Sequence, residues 1–251
     1  MKISLSHPLL LAAATVQSHS VIPHPLALAS SFTRIHHELD KINLGNCSLA
    51  NLSMPLNATT THLPVPSTNL TLKYIALGRG TQNYTCPSNS PNSKHTTIEP
   101  EATGAAATLF DASCIAASSL ALLHEVPEII SKAPLGSLAF ITALLAQGTR
   151  SNSIIIGEHH FNAAGDPIFD FTLSGADSWI AASKIAAAPA PKATSGSAGD
   201  VPWLKLGYKK GSGIQEVYRV VTSQGNPPST CAGQNATIQV EYAAEYWFYG
   251  R

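Results

Sequence analysis

From residue 70 onward the chain is a succession of short strand-like runs separated by turn residues. That spacing limits the fold more than any other feature. Residues 72–77 and 81–86 read as strands joined at Gly78-Arg79-Gly80. Residues 105–110 form another short apolar run. Residues 153–162 and 167–173 flank Ala163-Ala164-Gly165-Asp166, which predicts a hairpin turn. Residues 201–208, 214–222 and 238–249 complete the set, while 180–188 fits helix or strand equally. Residues 190–200, rich in Pro, Ser and Gly, predict a surface loop. Short strands at such spacing predict a mainly β fold, an antiparallel β-sandwich or barrel.

Outside these strands the pattern changes. Residues 118–147 are rich in Ala and Leu and are interrupted by Pro127 and Pro134, predicting two short helices. The apolar stretch 135–146 is shorter than the roughly 20 residues that cross a bilayer. Leu28, Phe32, Ile35, Leu39 and Ile42 recur at helical spacing and predict an amphipathic helix over 28–44. From 46 to 71, Pro55, Pro64 and Pro66 forbid a regular helix, so an extended segment wrapping the domain is expected. The expected organisation is a signal peptide over 1–20, a helical and Pro-rich extension over 21–69, and a β-rich domain over 70–251.

The N-terminus fits secretion. Lys2 precedes a short apolar run over 9–16, and the small residues Ser18 and Ser20 follow. Asn46, Asn51, Asn57, Asn69, Asn83 and Asn235 each open an Asn-x-Ser/Thr acceptor for N-glycosylation. Charged residues are only 12% of the chain, with 15 basic and 15 acidic, so sugar is the expected source of solubility. A net charge of zero also excludes attraction to nucleic acid by field alone. Cys47, Cys86, Cys114 and Cys231 are an even set in a secreted chain, which predicts two disulfides in any of three pairings. No two share a C-x-x-C spacing, so zinc or redox use is not expected.

Several stretches resemble the DUF3455 family: Ala76-Leu-Gly-Arg-Gly-Thr-Gln-Asn-Tyr-Thr-Cys86, Ala107-Thr-Leu-Phe-Asp-Ala-Ser-Cys114, Val201-Pro-Trp-Leu-Lys-Leu206, Glu216-Val-Tyr-Arg-Val220 and Tyr242-Ala-Ala-Glu-Tyr-Trp-Phe-Tyr-Gly250. The resemblance runs over 46–250 and implies kinship with secreted fungal proteins and shorter bacterial relatives of uncharacterised function. It also implies a pairing, Cys86–Cys231 with Cys47–Cys114, because the bacterial relatives keep only the first pair. Some fungal members carry the label malate dehydrogenase. The residues here do not fit it: a dinucleotide site needs G-x-G-x-x-G opening a helix, whereas Gly78-Arg79-Gly80 leads to Asn83 in a strand pattern. No cofactor is expected.

His159, in Gly157-Glu158-His159-His160-Phe161, matches a recurring histidine of the family, although Glu158 and His160 depart from its usual form. On a strand Glu158 and His160 share one face and His159 takes the other. A metal would use His159 with distant partners, or Glu158 with His160. The competing reading is a structural histidine bonded within the sheet. Asp111 could pair with a histidine or cap a turn. Trp203, Tyr246 and Trp247, with Tyr242 and Tyr249, could stack on sugar or pack in the core. No G-x-S-x-G elbow or H-E-x-x-H helix is present, and His36-His37-Glu38 and His124-Glu125 lack the second histidine at the right spacing. Cleavage after Ser18 would leave His19 as an N-terminal copper ligand without a second histidine.

The leading expectation is therefore a secreted extracellular glycoprotein acting at the fungal cell surface or host interface in an effector-like role. Its expected partners are cell-wall polysaccharide or a host extracellular protein, with neither nucleic acid nor a membrane span. The alternatives are an extracellular enzyme or metalloprotein using His159, and a carbohydrate-binding module.

Overall fold

A computed structural model describes residues 47–58, 62–87, 98–134, 136–139, 154–191 and 199–251. The expected signal peptide, the helix over 28–44, Asn46 and most of the apolar stretch 135–146 lie outside the described residues.

Eight strands pair in chain order, each antiparallel to the next: β1 (Thr71–Thr85), β2 (Glu101–Asp111), β3 (Ile155–Phe161), β4 (Pro167–Asp170), β5 (Trp179–Ala188), β6 (Trp203–Ser212), β7 (Glu216–Gln224) and β8 (Thr237–Gly250). β8 then pairs back on β1, from Thr71 opposite Gly250 to Thr85 opposite Thr237, and closes a barrel. Of the two architectures expected, the chain adopts the one without sheet edges. The ambiguous Ala-rich stretch is strand β5.

The expected turn at Gly78-Arg79-Gly80 is instead the middle of the 15-residue strand β1. Its glycines serve close approach rather than chain reversal. A Cβ on Gly78 would lie 2.4 Å from the Tyr246 ring, and one on Gly80 would lie 1.8 Å from the Ala106 carbonyl oxygen. Between them Arg79 points outward, with a side chain that is fully buried.

What buries it is a helical layer. The helices are α1 (Ser113–Ser118) and α2 (Leu120–Ser131). Pro127 was expected to break the helix, yet it sits inside α2. Tertiary bonds compensate for the hydrogen bond that a proline removes. Ser119 caps the N-terminus by accepting from the Leu122 N–H at 3.2 Å. Arg79 donates to the Ile130 and Ala133 carbonyls at 2.8 and 3.2 Å, placing a cation on the C-terminal end, and it pairs with Glu241. In the middle of α2, His124 Nδ1 meets Glu245 Oε1 at 2.7 Å, and the other Glu245 oxygen accepts from Trp247 Nε1. Glu245 is fully buried, so these partners offset the cost of its burial.

Strand alternation divides the apolar residues into two clusters. One fills the barrel: Leu109, Phe169, Phe171, Ile180, Val217, Tyr242, Tyr246 and Phe248 are among its members. The other lies outside, where Ile75, Leu77, Trp203, Tyr218 and Trp247 meet the helices and the segment before β1. Leu49, Leu52, Met54, Leu56 and Leu63 of that segment pack on this outer cluster. Polar bonds hold its end in place. Tyr218 Oη donates to the Pro64 carbonyl, Lys205 Nζ to the Val65 carbonyl, and Ser67 Oγ to Glu216 Oε1 at 2.6 Å. Burial raises the Glu216 pKa, but the Ser67 and Lys205 bonds outweigh it and leave the carboxyl below its ordinary value.

Two disulfides brace this arrangement, in the pairing that the family resemblance implied. Cys47–Cys114 ties the start of the described extension to α1, and Cys86–Cys231 joins the end of β1 to the loop before β8. Among the described residues, no helix is long and apolar enough to cross a membrane.

Candidate functional site

The barrel interior is not packed evenly along its length. At the end formed by the start of β1 and the close of β8, Tyr74, Phe171 and Phe248 fill the space with stacked and edge-on rings. Toward the other end the filling stops. There a cavity of about 720 Å³ opens, with apolar walls that include Phe161, Phe169, Ala182, Leu204 and Leu206. Small-molecule sites in barrels sit at such mouths.

His159 lies in this cavity. β3 places it inward, opposite Ala107 on β2 and Phe169 on β4, while Glu158 and His160 face out, half-exposed and 3.6 Å apart. The His159 ring stacks on Phe169 at 4.2 Å and 7°. Its Nδ1 lies 2.8 Å from the Ile168 carbonyl oxygen, which can only accept, so Nδ1 carries the proton and Nε2 is a bare acceptor. Burial brings the His159 pKa down to about 4, and the nearby Arg219 charge adds to that, so the imidazole is neutral near pH 7.

Arg219 is the residue that sequence reasoning missed. It lies on β7 opposite Tyr246 on β8 and Leu204 on β6, and it lines the same cavity. Nε and Nη2 donate to the Pro202 carbonyl at 3.3 and 2.9 Å. The preceding residue is itself held in place. Val201 donates its N–H to the Gln224 carbonyl and accepts from Thr222 Oγ1 at 2.7 Å. Directly after Arg219 the strand bulges, with a register shift between Val220 and Ser223. Val221 there holds φ 44°, a strained value for a β-branched residue. Bulges commonly re-aim side chains beside functional sites.

The remaining polar groups of the cavity surround that cation. Tyr242 and Tyr246 share a hydroxyl–hydroxyl bond of 2.8 Å. Burial raises both phenols above the ordinary tyrosine value while Arg219 pulls against it, and the hydroxyls remain protonated. Tyr84 is raised by burial in the same way and donates to the Gly225 carbonyl. The Gln82 amide lies near enough to Tyr242 to lower its pKa, yet its buried Nε2 completes no hydrogen bond among the described residues. An alternating apolar strand with one arginine facing inward, as in Glu216-Val-Tyr-Arg-Val220, is the signal that could have located the site.

Other expected site residues fall elsewhere. Asp111 ends β2 and accepts the Ser113 N–H at 2.9 Å, an arrangement that opens α1 rather than facing a histidine. Trp203 and Trp247 are buried in the outer cluster, and only Tyr246 of that expected trio lines the cavity. Among the described residues, no three His, Cys, Asp or Glu side chains gather as metal ligands. Asn51, Asn57, Asn69 and Asn235 are exposed. Asn83 is half-buried in β1, with its Oδ1 accepting from Thr81 Oγ1 at 3.0 Å.

Comparison with known proteins finds no matching curated protein and no matching solved structure. The family model described as "Protein of unknown function (DUF3455)" matches residues 66–250, the whole barrel, and the chain therefore belongs to the DUF3455 family.

Proposed function

We propose that the protein is a secreted, glycosylated binding barrel. It acts outside the cell, at the cell surface or host interface in an effector-like role, by holding a small molecule in the open end of the barrel. The observation that carries this reading is the 720 Å³ cavity. Its size suits a small organic molecule, its walls are largely apolar, and its few polar groups converge from several strands. The two disulfides and the exposed sequon asparagines support the extracellular part.

The uncharged fluorophore N-phenylnaphthylamine tests the binding part. It is expected to brighten on titration into the purified full chain and to bind at one site. Leu204→Trp, which places a large ring in the cavity, should abolish the signal while the variant stays folded by circular dichroism. Unchanged binding by that variant would place the probe elsewhere and remove the basis for the proposal.

The second reading is an enzyme using His159, favoured by its bare, neutral Nε2 inside the cavity. A value near 4 makes it a weak base at neutral pH, which is why binding is preferred. The carbohydrate reading draws on Tyr246 alone, since both tryptophans are covered.

A further inference from the structure

We propose that the cavity takes a small organic anion, an acid with an apolar ring or chain, and that Arg219 is its anchor. The inference rests on the binding-barrel reading and adds the chemical class of the ligand. Arg219 is 8% exposed, and among the described residues no carboxylate lies within ion-pair distance of it. The other buried cations do have such partners: Arg79 pairs with Glu241, and Lys205 with Glu216. A buried charge without a counter-charge is costly, and neutral partners, the Pro202 carbonyl and the Tyr246 hydroxyl, offset only part of that cost. Such a cation favours an anionic partner.

The neighbouring groups have the same preference. Gln82 Nε2 is a buried donor without an acceptor. In the Tyr242–Tyr246 pair one hydroxyl donates to the other, so one proton remains for a further acceptor. These donors beside the guanidinium suit the several oxygens of a carboxylate or sulfonate, while the His159 Nε2 acceptor can take a donor group of the same ligand. The one acidic side chain of the cavity lining, Asp166, is at the hairpin on the rim, and it is paired with Lys209. Lys184 adds a second cation to the lining. The stacked His159 and Phe169 rings and the Leu204 and Leu206 side chains would receive the apolar body of the acid.

The test uses a matched pair of probes, N-phenylnaphthylamine and anilinonaphthalene sulfonate, which share one ring system and differ by the sulfonate. Wild-type protein is expected to bind the sulfonate about tenfold more tightly or better, the scale of one charge-assisted bond. Arg219→Met should remove that preference and leave affinity for the uncharged probe within about twofold. Arg219→Lys should keep part of it, and Leu204→Trp should block both probes. Equal wild-type affinities, or a preference that survives Arg219→Met, would overturn the anion inference and leave the binding reading intact. Failure of both probes to bind would overturn both. If Arg219→Met does not fold, the wild-type ratio together with Arg219→Lys decides the matter.

Discussion

His159 is buried as a neutral base, which has a thermodynamic consequence. Its pKa is about 4 when folded, against an ordinary value of 6.5. Below pH 6.5 the unfolded chain takes up a proton that the folded chain refuses. Stability is therefore full above 6.5 and is lost as pH falls toward 4, by about 3 kcal/mol in all. Replacing His159 with Phe should flatten this loss, and urea unfolding of both proteins across pH 4–7 measures it; parallel profiles would contradict the account. His124 acts in the opposite sense. The hydrogen bond it donates to Glu245 raises its pKa, against partial burial, so its contribution is present below 6.5 and fades as pH rises through the folded value. Sequence singled out His159 because it matches a recurring histidine of the family. It did not locate Arg219, because alternation in β7 places Arg219 on one face with Val217, and only strand closure shows that this face is the inside.

At the scale of elements, Arg79 and α2 depend on each other. The guanidinium satisfies carbonyls at the C-terminal end of α2 and is completely covered in doing so. Arg79→Leu should cost about 2–4 kcal/mol, because those carbonyls and Glu241 lose a charged partner. Amide exchange should quicken first in the last turn of α2, and uniform acceleration over the barrel strands would argue against the capping role. This contact also explains two misreadings of the sequence. Glycines around Arg79 resembled a turn, but they are small because Tyr246 and the Ala106 carbonyl come close. Pro127 resembled a helix break, but Ser119, Arg79 and His124 hold α2 from both ends and the middle. The β3–β4 hairpin was legible because its chemistry is local: Asn162 Oδ1 accepts the N–H groups of Ala164 and Asp166, both at 2.9 Å.

The described residues form a closed barrel with one packed end and one open end, fastened by an outer segment. Most strand positions were readable, but the continuity of β1 and the closure were not, since closure depends on β1 finding β8 more than a hundred residues away. Produced in a secreting host, the chain is expected to carry glycans at Asn51, Asn57, Asn69 and Asn235 and none at Asn83, whose amide is held within β1. Peptide mapping with and without glycosidase reads the occupancy, and a glycan on Asn83 would contradict this placement. The central claim, that the open end is a ligand site, is tested most directly by amide chemical shifts of the full chain titrated with N-phenylnaphthylamine. The account predicts shifts confined to the open end, at residues such as Gly104, Phe161, Phe169 and Ala182, with Tyr74, Ile214 and Phe248 at the packed end unmoved. Shifts restricted to the outer face, or none at all, would contradict it.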